Sequence, residues 1–304
     1  MQTISISKLR KTYGPVAAVD DLSLEIPGGS VFGLLGPNGA GKTTTFKCLL
    51  GLARPTNGTI LYDGRPLVPA TFERIAYVPE RSVLYDWMTV EEHVEMNRRA
   101  FTAFSPARAF ELLQTFGVDR RRRARILSKG MKTAVMVAIA FARNAEVLIL
   151  DEPTGGLDPI NQRHVLTLMI NEAAKGNLVV FSSHQIGQVE RAAEQIAVID
   201  RGRLVLQGLV DDLKGDRKIV EGVFPDVAFA LDGIAGDPRV ARVDRTERIV
   251  RLLVTGGADD IASRLTAAGA MGVRVVDLNL EDIFLYAVSP ADATADVVTK
   301  ESNS

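Results

Sequence analysis

The stretch Gly36-Pro37-Asn38-Gly39-Ala40-Gly41-Lys42-Thr43 decides the fold of this chain. It fits the pattern G-x-x-x-x-G-K-[ST], follows the apolar run Val31 to Leu35 and precedes a stretch compatible with a helix. A strand, a glycine-rich loop and a helix in this order surround phosphate oxygens with backbone N–H groups and with the positive end of the helix. An ordinary glycine turn with a surface lysine is not expected to combine this spacing with this context.

The loop residues have distinct predicted roles. Lys42 is placed to reach the β and γ phosphates of a nucleotide, and the Thr43 hydroxyl is placed to hold Mg²⁺. The remaining residues predicted to contact the nucleotide from this segment are Gly36, Asn38, Gly39, Ala40, Gly41 and Thr44.

Two further apolar runs, Val147 to Leu150 and Leu178 to Phe181, have the composition of buried parallel strands. The first is followed by Asp151 and Glu152. An acidic pair after a strand, taken alone, is more often a solvated loop. Beside a phosphate-binding loop it predicts that Asp151 binds Mg²⁺, through water, and that Glu152 polarises the attacking water as a general base.

Bulk composition limits the classes of function. With 304 residues, 46% hydrophobic residues and a net charge of −1, the chain can form one large or two modest domains. The balance of 36 basic and 37 acidic residues gives no global attraction to nucleic acid, which is not an expected partner. The single cysteine, Cys48, excludes an internal disulfide framework and is interpreted as a small apolar contact, as fits a reducing cytosol.

Neither a leader nor a membrane span is expected. Residues Met1 to Gly14 alternate polar and apolar side chains, which is typical of a strand and not of a signal peptide. The longest near-continuous apolar run, Ala134 to Ala142, is far shorter than the about 20 residues that a spanning helix needs.

The distribution of apolar and polar residues along the chain predicts three parts. Residues 1–215 form the phosphate-loop domain, with a helical subdomain inserted at about 86–143; residues 216–290 form a small α+β domain, and residues 291–304 a flexible tail. Within 216–290 we predict a hairpin at 240–244 and 249–254, a helix at 260–268, a strand at 273–278 and a closing helix at 281–288.

Upstream of the acidic pair, Leu127-Ser128-Lys129-Gly130-Met131 resembles the signature sequence of ABC ATPases. Three further elements are similar to that family in the expected order: Gly156-Leu157-Asp158 to its D-loop, His184 to its switch histidine, and Tyr13 to the aromatic residue that stacks on adenine. The resemblance covers residues 1 to about 215. It implies an α/β fold, namely a phosphate-loop NTPase core with an inserted helical subdomain, plus the small C-terminal α+β domain.

The same resemblance implies ATP hydrolysis, with ATP and Mg²⁺ as cofactors, at a composite site. Ser128 and Gly130 would reach ATP from a second ATPase subunit, expected to be an identical chain. Asp158 is also expected to bind the nucleotide, while Lys42, Glu152 and His184 would be catalytic. The dimer would lie on the cytoplasmic face of the cell membrane and power a separate transmembrane permease. A lone histidine is usually structural, but its place after a third strand favours the catalytic role.

Two elements, at three positions, depart from the broad family pattern. Glu80 stands where the family has a glutamine that links Mg²⁺ to the membrane partner; its carboxylate can still coordinate metal but loses the amide donors. In the signature, Lys129 and Met131 replace the commoner glycine and glutamine, a form resembling the drug-resistance branch of bacterial exporters. The C-terminal residues Leu280 to Phe284 resemble the appendage of that branch. Export is expected only because of this resemblance to the exporter branch.

Alternatives remain at this point. A soluble ABC ATPase acting on ribosomes or DNA would usually carry two ATPase halves or a long coiled-coil insertion, and a phosphate-loop kinase would leave the signature unexplained. The run Arg120 to Arg123, with Arg125, is interpreted as a solvated face, with anionic headgroups as the alternative. Trp87 belongs either to the subdomain core or to the surface that receives a partner helix.

Overall fold

A computed structural model of the chain describes residues 3–231 and 233–288. The predicted tail, residues 291–304, lies outside the described residues. The chain divides into two compact units, the first being Met1–Gln207 and the second beginning at Gly208.

The strands and helices up to this boundary make a mixed α/β unit. The strands are β1 (Thr3–Tyr13), β2 (Val16–Pro27), β3 (Val31–Leu35), β4 (Asn57–Tyr62), β5 (Arg65–Pro66), β6 (Ile75–Val78), β7 (Val147–Asp151), β8 (Leu178–Ser182), β9 (Gln195–Asp200) and β10 (Arg203–Leu209). The helices are α1 (Lys42–Leu49), α2 (Pro69–Phe72), α3 (Val90–Ala100), α4 (Pro106–Thr115), α5 (Lys129–Phe141), α6 (Pro159–Ala174) and α7 (Ile186–Ala192).

A six-stranded sheet with the order β10-β9-β3-β8-β7-β6 organises the unit. Strands β3, β6, β7, β8 and β9 run parallel to their neighbours in this group. Every residue of β3, β7 and β8 is buried, as their continuous apolar composition predicts for a sheet covered on both faces. The carboxyl ends of the parallel strands therefore meet at one edge, where the chain leaves each strand for a functional loop.

A second, antiparallel sheet with the order β2-β1-β4-β5 shares a core with the first. Ile4 pairs with Ile26 across β1 and β2, and both side chains lie in a cluster with Phe32 of β3 and Phe46 of α1. Burial of these large apolar side chains fixes α1, and with it the loop that precedes it, between the two sheets.

Helices α3, α4 and α5 lie in the region for which a helical subdomain was predicted. The apolar run from Ala134 forms the buried part of α5, which explains its composition without a membrane. Among residues 3–231 and 233–288, no helix combines the length and the hydropathy needed to cross a bilayer.

The second unit contains α8 (Val210–Asp216), β11 (Arg217–Val223), β12 (Val240–Thr246), β13 (Ile249–Thr255), α9 (Ala258–Ala267), β14 (Met271–Asp277) and α10 (Leu280–Val288). Its four strands form an antiparallel sheet with the order β12-β13-β11-β14. Ile261 and Leu265 of α9 pack on Val220 and Leu252 of this sheet. Strands β12 and β13 form the predicted hairpin, whereas the sequence did not predict the central strand β11.

Candidate active site

A cavity of about 470 Å³ lies where β3, β6, β7 and β8 end. Most of the residues predicted to bind or hydrolyse a nucleotide line it: Asn38, Gly39, Ala40, Gly41, Lys42, Thr43, Thr44, Glu80, Asp151, Glu152 and His184. Ala18, Lys129 and Gly155 also line the cavity and were not predicted.

The phosphate-binding loop joins β3 to α1. Only glycine can occupy its last position before the helix. Gly41 has a φ of 107°, and a Cβ atom there would overlap the carbonyl oxygen of Ala18. Lys42 follows as the first residue of α1, so the free N–H groups of the first helical turn face the cavity. This arrangement suits an anion of the size of a phosphate group.

The Lys42 ammonium group is held inside the loop. Its Nζ atom donates to the carbonyl oxygens of Gly36, at 2.6 Å, and Pro37, at 3.2 Å. Burial lowers the pKa of Lys42, and the negative charges of Glu152, Asp151 and Glu80 oppose this effect. The hydrogen-bond partners of the ammonium group are neutral carbonyl oxygens, and phosphate oxygens would add a charged partner at hydrogen-bond distance.

Two side chains from different elements converge on the Asp151 carboxylate at the end of β7. The Thr43 hydroxyl donates to Asp151 Oδ2 at 2.8 Å, and the Ser182 hydroxyl donates to Oδ1 at 2.6 Å. Asp151 and Ser182 are register partners in the parallel pair of β7 and β8, which is why the two side chains meet. Sequence analysis did not identify Ser182, because the contact depends on strand register.

Glu152 adopts a left-handed backbone conformation, with φ of 52°, which is uncommon for a residue other than glycine. Its N–H group donates to Ser182 Oγ at 3.1 Å, and His184 Nδ1 lies 2.9 Å from its Oε2 atom. Since an ionised carboxylate only accepts hydrogen bonds, Nδ1 is the donor in this contact. The strained turn directs the Glu152 carboxylate into the cavity, beside the histidine predicted to act with it.

The oxygen atoms around the cavity suit a magnesium ion. Thr43 and Asp151 are already aligned by their mutual hydrogen bond, and Glu80 adds a carboxylate from the loop after β6. Hydroxyl and carboxylate oxygens beside a phosphate group are the ligands that Mg²⁺ prefers.

Five of the predicted site residues do not line this cavity: Tyr13, Gly36, Ser128, Gly130 and Asp158. The carbonyl oxygen of Gly36 accepts from Lys42 Nζ, as described above. Ser128 caps α5, accepting from the Met131 N–H group at 3.2 Å, and Asp158 caps α6 through the N–H groups of Ile160 and Asn161, both at 3.0 Å. A Cβ atom at Gly130 would overlap the carbonyl oxygen of Gly156 in the same chain. Tyr13 is 49% exposed at the end of β1, with the Lys11 ammonium group 4.8 Å from its ring centroid.

Glu80 and Lys129, two of the three residues that depart from the family pattern, line the same cavity. Both contribute to the cavity at the phosphate-binding loop and to a neighbouring cavity of about 400 Å³. The Lys129 stem lies against Gly156. The cavity therefore receives one acidic and one basic side chain at positions where the broad family has neutral residues.

Comparison with known proteins identifies the family of this chain. The family model described as ABC transporter matches residues 19–155. YhaQ of Bacillus subtilis strain 168, described as an uncharacterised ABC transporter ATP-binding protein, is 36% identical over 69% of this chain and 72% of its own length. Nod factor export ATP-binding protein I of Cupriavidus pinatubonensis is 33% identical over 93% of this chain and 89% of its own.

Solved structures agree as well. A structure described as the ATP-binding subunit of an ABC transporter superposes with a TM-score of 0.64, at 31% identity, over 70% of this chain and 92% of its own. The dimeric bacterial ABC transporter cassette MJ0796 superposes with a TM-score of 0.62, at 25% identity, over 68% and 98% of the two chains. The α/β fold expected from the sequence is thereby confirmed. The chain belongs to the ATP-binding subunits of ABC transporters, which hydrolyse ATP in a cycle coupled to transport.

Proposed function

We propose that two copies of this chain close around two ATP molecules with Mg²⁺, that hydrolysis reopens the dimer, and that this motion drives export by a separate membrane permease. In this proposal the dimer lies on the cytoplasmic face of the membrane. The transported substrate would contact the permease and not this chain.

The separation of Ser128 and Gly130 from the cavity carries the proposal, whereas Lys129 between them lines it. Ser128 and Gly130 lie at the N-terminal end of α5 and do not line the chain's own phosphate cavity. Helix α5 has 13 residues, and the free N–H groups at its N-terminus, together with the Ser128 hydroxyl, make a second site for phosphate oxygens. One chain thus offers two half-sites, which a second copy would combine.

The predicted site residues that line the cavity have distinct roles in this mechanism. Lys42 and the loop N–H groups hold the β and γ phosphates, and Thr43, Asp151 and Glu80 would hold Mg²⁺, which supplies charge neutralisation on the transferred phosphoryl group. Glu152 accepts a proton from the attacking water, and His184 holds the Glu152 carboxylate in position relative to the γ-phosphate. The Glu152–His184 contact at 2.9 Å supports this pairing.

The direction of transport is supported by a relative. The protein from Cupriavidus pinatubonensis, 33% identical over 93% of this chain, is described as an export ATP-binding protein. We infer export for this chain from that similarity and from the exporter-like signature at Lys129 and Met131.

The test uses Glu152→Gln, which keeps the size of the side chain but removes its ability to accept a proton. Hydrolysis should fall about 100-fold or more while ATP binding persists. Uncleaved ATP should then hold two chains together, so that size-exclusion chromatography with light scattering shows a dimer with ATP and a monomer without it.

The double variant Glu152→Gln with Ser128→Arg is the matched control. A bulky side chain at the shared interface should abolish the ATP-dependent dimer while leaving Lys42 and Asp151 in place. If Glu152→Gln protein binds ATP but stays monomeric, even with the permease added, the composite site is wrong.

A further inference from the structure

Three hydrogen-bonded side chains join the turn after Glu152 to the start of α7. The Thr154 hydroxyl donates to Oε1 of Gln188 at 2.6 Å, and Nε2 of Gln188 donates to Oε1 of Gln185 at 2.7 Å. Thr154 is 2% exposed and Gln188 is 6% exposed. We call these three side chains the polar link.

Each end of the polar link lies next to one residue of the proposed catalytic pair. Thr154 follows Glu152 by two residues, in a turn closed by the bond from the Gly155 N–H group to the Glu152 carbonyl oxygen at 3.0 Å. Gln185 directly follows His184 and is the N-cap residue of α7. The polar link therefore joins the same two segments that carry Glu152 and His184.

The contact between Glu152 and His184 does not fix these two segments by itself. The His184 side chain is 60% exposed, so water competes with the carboxylate for its ring nitrogen. Pairs of this kind at a solvent-exposed side chain contribute little to stability. The separation of 2.9 Å between His184 Nδ1 and Glu152 Oε2 is therefore maintained only if the backbone of each segment is held by other contacts.

The buried part of the polar link is suited to hold them. Because Thr154 and Gln188 are shielded from water, a lost partner would not be replaced, and breaking their hydrogen bond is costly. The Gln188 amide accepts at one atom and donates at the other, so both bonds form only in one orientation of the side chain. The Ser182 hydroxyl holds the Glu152 N–H group, and the polar link holds the turn two residues later.

We propose that Thr154 and Gln188 are positioning residues for hydrolysis, which hold the segment of His184 at the distance from Glu152 at which the two side chains meet. This inference rests on the roles of Glu152 and His184 in the proposed function. Thr154 and Gln188 do not line the nucleotide cavity, so they act through the pair and not on the nucleotide.

Loss of the polar link should slow hydrolysis without weakening nucleotide binding. Thr154→Val keeps the shape of the side chain but removes the donor, and Gln188→Met keeps its length but removes both hydrogen-bonding groups. A displacement of about 1 Å at a reacting group costs up to about 100-fold in rate, and we expect kcat to fall about 10-fold in each variant. The KM for ATP and the binding of a fluorescent ATP analogue should not change, because Lys42 and its loop are untouched. Thr154→Ser keeps the hydroxyl and should keep the wild-type kcat.

Thr71→Val is the matched control for the loss of a buried threonine hydroxyl. Thr71 is 8% exposed in α2, and its hydroxyl accepts from the Val68 N–H group at 3.2 Å. Calorimetry should show a loss of stability in Thr71→Val as in Thr154→Val, but the control should keep the wild-type kcat. If kcat falls equally in both variants, the loss of stability explains it and the proposal is overturned.

The decisive measurement is hydrolysis in a His184→Ala background. Residues that act as one unit have non-additive effects, so Thr154→Val should lower the kcat of His184→Ala by less than about twofold. A further loss of about 10-fold would mean that Thr154 acts independently of His184 and would overturn the inference. An unchanged kcat in both Thr154→Val and Gln188→Met would overturn it as well.

The same set of variants separates this inference from the proposed function. An unchanged kcat in His184→Ala would remove the proposed role of His184, and this inference with it. A lower kcat in His184→Ala but not in Thr154→Val would overturn this inference alone. The composite site is tested independently, by the ATP-dependent dimer of Glu152→Gln.

Discussion

Ser182→Ala is the sharpest perturbation of the active site that leaves every nucleotide-facing side chain in place. Ser182 is completely buried, and its hydroxyl donates to Asp151 Oδ1 at 2.6 Å while accepting from the Glu152 N–H group at 3.1 Å. Alanine removes both hydrogen bonds at once. The Asp151 carboxylate keeps only its bond from Thr43, and the Glu152 N–H group loses its partner.

The size of the effect follows from these two bonds. A hydrogen bond to a charged group contributes about 1.5–3 kcal/mol, and a buried N–H group without a partner costs about 1–3 kcal/mol. Asp151 and Glu152 line an open cavity, so water can replace part of the lost hydrogen bonding. We therefore expect the free energy of unfolding to fall by about 2–4 kcal/mol. In a unit of this size each kcal/mol corresponds to about 2–4 °C in Tm.

We expect slower catalysis because Asp151 and Glu152 would be held less precisely, although neither carboxylate is removed. Loss of an outer partner of a metal-binding carboxylate typically lowers activity about 10- to 100-fold. We expect this loss in kcat, since Asp151 and Glu152 both loosen, whereas the KM for ATP should change little because Lys42 and its loop are untouched.

Ser183→Ala is the matched control. The adjacent hydroxyl is also buried, but its one hydrogen bond is accepted from the neutral Gln185 N–H group at 3.0 Å, so we expect a loss of about 1 kcal/mol. Calorimetry of the full chain without nucleotide, and steady-state hydrolysis, compare the two variants. If Ser182→Ala is no less stable than Ser183→Ala and keeps the wild-type kcat, the proposed support of Asp151 is refuted.

Substitutions at three further positions address other parts of the site. Lys42→Ala should weaken the equilibrium binding of a fluorescent ATP analogue and abolish hydrolysis, because the fixed cation facing the phosphates is lost; near-normal hydrolysis would remove Lys42 from the site. Glu80→Gln should keep hydrolysis while Glu80→Ala loses its stimulation by the permease, and equal damage by both would indicate a strict need for the carboxylate. Gly130→Ala should lower the free energy of unfolding by about 1–3 kcal/mol in urea titrations, because its methyl group overlaps the Gly156 carbonyl; wild-type stability would contradict that overlap.

The parts of the site that the sequence predicted are local in the chain. The spacing of Gly36, Gly41 and Lys42 defines the phosphate-binding loop within eight residues, and apolar runs mark β3, β7 and β8. Because parallel strands end at the same edge of a sheet, these local patterns also place Asp151 and His184 beside the loop.

The parts that it did not predict depend on contacts between distant segments. Ser182 is one of many serines, and its role follows only from the register that pairs it with Asp151. Lys129 enters the cavity because α5 begins beside Gly156, a geometry that no residue spacing shows. Strand β11 was missed because its residues include charged side chains that face their partners in β13 and β14, such as Glu221 with Arg251 and Arg274.

The close fit between the start of α5 and the loop after Glu152 has an evolutionary consequence. Gly130 lies against the Gly156 carbonyl oxygen, and the Thr133 hydroxyl donates to the Gly155 carbonyl oxygen at 3.0 Å. A side chain gained at position 130 can be accommodated only if the 155–157 loop moves, so the two segments should drift together in descendants of this gene. If the proposed ATP-dependent dimer were lost in a lineage, the glycine of its signature would be retained for folding alone.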